Sequence, residues 1–150
     1  MAVSVLAVAR RMGERSGWRL SNLALQKLCY IAHMMHLGQY DKPLVFGQFE
    51  AWDLGPVHPQ LYRALRHFGS SYVREDAFSP IQPVRAERAS ALVDETVEKL
   101  GDNTARLLAI THWENGAWAK NYIPGVKNIP IPNEHIIEEF MERFGKSEGN

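Results

Sequence analysis

LVFGQFEAWDLGPVHPQLY, residues 44–62, decides how the rest of the chain is read. Phe46, Phe49 and Trp52 are interleaved with Gln48, Glu50 and Asp53, as in a half-buried strand, and the alternation falters near Gly47, where a bend fits. A small β element is therefore expected at 44–53. Gly55-Pro56 should end it, because the proline fixes its own φ and bars Gly55 from the helical region. Pro59 suits the first turn of a helix, and Leu61, Leu65 and Phe68 follow at i, i+4, i+7, which predicts a helix from near His58 to Gly69.

Upstream of this stretch, Ser21 or Asn22 can cap a second helix whose residues Leu23, Ala24, Leu25, Leu28, Cys29, Ile31, Ala32, Met34, Met35 and Leu37 are apolar almost all round. Such a helix is central and buried. Its polar residues Gln26, Lys27, Tyr30 and His33 fall at i, i+1, i+4, i+7 and share a narrow face. Lys27 and Glu50 each need a partner in apolar surroundings, so they are expected to pair, with Tyr30 or Tyr62 completing the hydrogen bonds. That pair would lock the helix to the β element or form the polar floor of a binding groove.

The remaining segments fit around these two. Val5, Leu6, Val8, Ala9 and Met12 set the stripe of a first helix. Residues 70–85, with Pro80 and Pro83, read as a mobile loop with a short edge strand at Tyr72-Val73. Helices are predicted from about 86 to 100, from Asn103 toward Thr111, briefly from Ala117, and from a cap at Asn133 to Gly145, while the final GKSEGN reads as disordered. The fold class is mainly α: one domain over 1–150, a bundle of about six helices around a central buried helix.

Composition narrows the function classes. Seventeen basic and seventeen acidic residues cancel, so no global field favours nucleic acid or an anionic membrane. The charge is uneven, with Arg10, Arg11, Arg15, Arg19 and Lys27 near the start and five glutamates after residue 133. Cys29 is the sole cysteine, which excludes an intramolecular disulfide and points to a reducing cytoplasm. No run reaches the length of a membrane span.

Six histidines invite a metal reading, and His33 and His36 could share a helix face, but no carboxylate stands at helical spacing and no cysteine cluster joins them. Packed or solvated histidines explain them, and no metal or other cofactor is expected. Glu50, Asp53, His58 and His112 could form an acid–base group if they converge. No nucleophile elbow, P-loop or paired-carboxylate motif supports that alternative, a small enzyme. Arg63, Arg66 and Arg74 make a basic patch with too few aromatics to suggest direct nucleic-acid binding. Trp113 and Trp118 could anchor a protein partner if one helix carries both.

LSNLALQKLCYIAH (20–33), FEAWDLGPVHPQLYRAL (49–65), ITHWENGAW (110–118) and IPIPNEHIIEEFMERF (129–144) together resemble the Panacea domain family, found in SocA-like antitoxins and phage-associated proteins of the GepA type. The resemblance covers nearly the whole chain. It implies a mostly helical domain with a small β element, able to neutralise a protein toxin usually encoded beside it. A cognate toxin is thus the expected partner, joined by a protease if the protein hands the toxin on. The surface expected to meet it comprises Arg63, Arg66, Arg74 and the loop 70–85, with Trp113 and Trp118. Lys27, Tyr30, Glu50, Trp52, Asp53, Gly55, Pro56, His58 and Tyr62 form the polar and turn motif behind it.

Overall fold

Ser21 turns the chain into its longest helix, its hydroxyl accepting from the Ala24 N–H at 3.1 Å. In the computed structural model, which describes residues 2–101 and 103–145, this helix runs Asn22–Tyr40 and is buried along most of its length. We number the helices α1 (Val5–Arg15), α2 (Asn22–Tyr40), α3 (Pro59–Leu65), α4 (Glu87–Leu100), α5 (Thr104–Thr111), α6 (Ala117–Asn121) and α7 (Asn133–Phe144), with 3-10 turns at Arg66–Phe68 and Glu75–Phe78. The expected mainly helical bundle is present, with seven α-helices among the described residues. The tail reading, beyond Gly145, concerns residues outside those described.

α2 is the axis against which α1, α3, α4, α5 and α7 pack. An apolar surface on all sides must be covered on all sides, and its neighbours do so. One continuous core results, running from Val5 and Met12 through Leu25, Leu28 and Ala32 to Val93, Leu107 and Ile136. The early arginines serve the packing of α1: Arg11 grips Asp94 of α4 at 2.7 and 2.8 Å, and Arg10 reaches Glu75 and the Ile81 carbonyl. The basic start of the chain is thus largely neutralised within the molecule.

The β element is smaller and placed later than the sequence suggests. Residues 44–49 form no strand, since Gly47 takes φ 82° and bends the chain. Strand β1 is Glu50–Trp52 and β2 is Gly55–Val57, an antiparallel hairpin in register Glu50↔Val57, Ala51↔Pro56, Trp52↔Gly55. Gly55-Pro56 does not end the β element; Asp53-Leu54 makes the turn, and the glycine and proline begin the return strand. The proline is tolerated because Ala51 sends its N–H outward to the Ile129 carbonyl at 3.0 Å, so the Ala51–Pro56 position has no cross-strand bond to lose. Residues 129–131 lie along the free edge of β1, with the Ile131 N–H donating to the Phe49 carbonyl at 2.7 Å.

Three other expectations are corrected. The segment 70–85 is not a loose loop: Val73, Phe78 and Val84 are buried, and backbone bonds tie Val73 to Leu20 and Val84 to Ala7. Its edge strand is a single bridge between Tyr72 and Ser21. Asn133 does not cap α7; it is the helix's first residue, and its side-chain oxygen sits 3.1 Å from His33 Nε2.

Candidate functional site

The hairpin lies across the N-terminal half of α2 and leaves a cleft of about 350 Å³ beside it. Leu23, Val57, Trp52 and Tyr62 supply much of its apolar wall, Asn22 and Gln26 its α2 side, and Leu54 and Lys127 its mouth. Trp52 and Tyr62 meet edge to face at 4.8 Å, and the Lys127 ammonium lies 5.0 Å above the Trp52 ring. Glu50 receives the Trp52 indole N–H at 2.9 Å, which fixes the ring's orientation.

Asp53 holds the hairpin tip to a second turn. Its Oδ1 accepts from the Tyr122 hydroxyl at 2.6 Å and from the Gly125 N–H at 3.2 Å, and these bonds hold its carboxyl below the ordinary range. Trp118 adds a bond from its indole N–H to the Trp52 carbonyl at 2.7 Å and stacks on Tyr122. Two short turns, 52–55 and 122–126, are thus joined into one body. On it stand Leu54, Ile123 and Val126, with 59%, 52% and 36% of their surface exposed. Exposure of that order on apolar residues clustered at two tied turns calls for an explanation.

Beneath the hairpin, Lys27 is fully buried and donates to the Pro56 carbonyl at 3.0 Å. Burial lowers its pKa to about 7, and no carboxylate opposes that shift. The expected Lys27–Glu50 ion pair is absent, because Glu50 turns to Trp52 and the lysine is satisfied by a backbone oxygen. Gly55, with φ 109°, lies directly over the ammonium; a Cβ there would stand 3.1 Å from Lys27 Nζ and 3.2 Å from His112 Cε1.

The rest of the α2 polar face is equally committed. The Gln26 side-chain oxygen accepts the His58 backbone N–H at 2.8 Å, and its amide donates to Asn22 at 3.2 Å. The Tyr30 hydroxyl donates to Glu139 at 2.6 Å; burial first, then that carboxylate, raises the phenol's pKa. Glu139 also accepts from the Ala117 N–H and from Arg143 at 2.8 Å. His33 Nδ1 accepts from the Leu44 and Val45 N–H groups, and burial lowers the ring's pKa to about 4.

The four acid–base candidates do not gather at one point, although His112 Nε2 stands 3.5 Å from the Asp53 backbone carbonyl. Glu50 and Asp53 are engaged as described, and His58 Nε2 bonds the Phe46 carbonyl at 2.9 Å while its Nδ1 is buried without a hydrogen-bond partner. Burial lowers the His58 pKa. His112 bonds the Leu108 carbonyl through Nδ1 at 2.9 Å and stands against Trp118. Of these four residues only Asp53 lines the cleft. Among the described residues no three His, Cys, Asp or Glu side chains gather as a metal site.

Of the expected partner-binding residues, Arg63 and Arg66 are exposed and form no salt bridge among the described residues. Arg66 follows Tyr62 by one turn, which puts it on the side facing the cleft. Arg74 stacks over the Phe68 ring at 5.0 Å and stands 3.9 Å from Asp76. Trp113 and Trp118 are separated by the break between α5 and α6: Arg143 covers Trp113, whereas Trp118 builds the turn clamp.

Sequence reasoning missed Leu54, at the tip of a hairpin too short to show periodicity, and Tyr122, Gly125, Val126 and Lys127, which follow α6 in a coil with none to read. It also missed Glu139, although Ile136, Glu139 and Arg143 recur at helical spacing on the stripe that α7 buries.

Comparison with known proteins gives a consistent picture. Residues 25–119 match the family described as Antitoxin SocA-like, Panacea domain. The chain is 37% identical over 109 residues to Antitoxin SocA of Caulobacter vibrioides (strain NA1000 / CB15N), covering 66% of this chain and 58% of that protein's length. No solved structure matches. No helix among the described residues is long and apolar enough to cross a membrane.

Proposed function

We propose, because the chain belongs to the antitoxin SocA-like Panacea domain family, that it neutralises a protein toxin by binding it, and that the toxin docks on the clamped turns and the cleft beside them. The observation that carries this reading is the cluster of Leu54, Ile123 and Val126, exposed on turns that Asp53, Tyr122 and Trp118 hold rigid. Rigid apolar anchors lose little entropy on binding, and a cleft lined by Trp52 and Tyr62 suits an inserted side chain. Lys127 and Arg66 at the rim favour a partner with acidic groups around its apolar anchor and speed its encounter.

Sequence reasoning put the partner surface at Arg63, Arg66, Arg74 and 70–85. Arg66 and Arg63 stay as rim charges and the centre moves to 52–57 and 122–127, where exposed apolar residues stand on tied turns, whereas 70–85, anchored at Val73, Phe78 and Val84, exposes only Tyr72 among its large apolar side chains. The protein acts in the cytoplasm, where buried Cys29 stays a thiol. Catalysis by Glu50, Asp53, His58 and His112 is not favoured, because both carboxylates are engaged by Trp52, Tyr122 and Gly125, His112 reaches only the Asp53 backbone carbonyl, and the four share no cleft.

The test is co-expression with the product of the neighbouring open reading frame, scoring growth. Rescue by the wild type, lost in Leu54→Glu at equal protein level, is the expected result. Rescue that survives Leu54→Glu and Ile123→Glu together overturns the docking surface, and no rescue by the wild type overturns the antitoxin reading. A fall in toxin level during rescue distinguishes delivery to a protease from masking.

A further inference from the structure

A second groove lies further along α2, where α4, α5 and α7 meet it, with a volume of about 480 Å³. Its floor includes Ile31, Met34 and Met35 of α2, Leu100 at the end of α4 and Ile110 of α5. From Ile31 to Gln39 it follows α2 for about 12 Å, the length of roughly two helical turns. Exposed Lys99, Arg106 and Phe144 also line it, so it is open on its outer side, as a groove for a chain segment is and an enclosed small-molecule cavity is not. Methionines suit such a floor because they adapt to different side chains.

The charge at the rim selects the occupant. Lys99 is paired with Glu95 at 2.8 Å, and these two balance. Arg143 is already matched: its Nε and Nη2 bond Glu139, Nη2 also reaches the Ile110 carbonyl, and its guanidinium covers the Trp113 ring. Arg106 is exposed, and its guanidinium has neither salt bridge nor hydrogen bond among the described residues. Glu95, the one carboxylate lining the groove, is already used by Lys99. An apolar floor two turns long, with the Arg106 guanidinium at its edge unmatched among the described residues, complements one kind of segment.

We propose that this groove binds an amphipathic helix of another protein, its apolar side chains at i, i+3, i+4 and i+7 set on the methionine floor and its carboxylates facing Arg106. This does not rest on the antitoxin reading, and it uses a surface separate from the clamped turns.

The test is fluorescence anisotropy with two labelled peptides of about three turns, both with leucines at that spacing. One carries glutamates on its polar face and the other lysines. The glutamate peptide should bind saturably, at least tenfold more tightly than its lysine twin. Arg106→Glu should weaken it at least tenfold, Ile110→Glu should abolish binding with the helical circular dichroism retained, and Leu54→Glu should change nothing. Equal binding of both peptides, or binding indifferent to Arg106→Glu, overturns the proposal. So does displacement of the peptide by laurate at lower concentration, which would make the groove an amphiphile pocket. A concentration-dependent dimer that Arg106→Glu dissolves would assign the groove to a second copy and likewise overturn it.

Discussion

Lys27 shows how a single buried charge shapes this protein. Its ammonium has one hydrogen-bond partner, the Pro56 carbonyl, and its pKa is lowered to about 7 by burial. An unfolded lysine titrates near 10.4, so between pH 7 and about 10.4 the unfolded chain binds more protons and stability rises with pH. Below pH 7 the lysine is charged in both states and the full cost of burying it is felt. Lys27→Met should therefore stabilise the protein at pH 6 by about 1–3 kcal/mol, after about 1–3 kcal/mol is lost in leaving the Pro56 carbonyl unpaired. Urea melts at pH 6 and pH 10 check this: the gain should shrink or vanish at the higher pH. Because Lys27 and Glu50 do not pair, Glu50→Gln should add to Lys27→Met with a coupling below about 0.5 kcal/mol. Helical spacing made the burial of Lys27 legible. Its partner was not legible, because that carbonyl is freed by a return strand that Gly55-Pro56 seemed to forbid.

Among the elements, the seam between α2 and α7 is the most demanding. At Gly38 a methyl group would run into the Phe140 ring, so Gly38→Ala should cost about 1–3 kcal/mol despite alanine's better helix propensity, read as a lower thermal midpoint. Further along the seam, buried Glu139 joins Tyr30, the start of α6 and Arg143. Glu139→Gln leaves Arg143 without its counter-charge and should cost roughly 3–5 kcal/mol by denaturant titration. At the same seam His33 stays neutral while it links Leu44, Val45 and Asn133. Its folded pKa, about 4, lies below the unfolded value near 6.5, so its contribution is lost as pH falls through that window. His58 and His36, also lowered by burial, act in the same direction. Stability should decline from pH 6.5 to 4, and His33→Gln should flatten part of that slope. The longer helices were legible because their apolar residues recur at helical spacing, with caps at Ser21 and Asn103 marking two of the starts. The hairpin and α7's Glu139 were less so, since three-residue strands have little periodicity and a glutamate on an apolar stripe is identified only by what lies opposite.

For the whole molecule, net charge says less than where the charges go. The arginines of α1 are largely spent on Glu75, Asp94 and Glu98, and α7's Glu138 and Glu139 on Lys120 and Arg143. Among the described residues Arg66 and Arg106, the latter at the groove, have no carboxylate partner. The candidate partner face was half legible: Trp52, Asp53 and Tyr62 stood out as motif, whereas Ile123, Val126 and Lys127 joined them only through tertiary contact. Under the proposed function, the hairpin tip and the 122–126 turn, tied into one body, form the face that meets the toxin. Hydrogen exchange of the protein with and without its bound toxin tests that most directly. Toxin should slow exchange at 51–57 and 122–127 while 92–110 exchanges as in the free protein; protection confined to 92–110, with 51–57 and 122–127 unchanged, would contradict it.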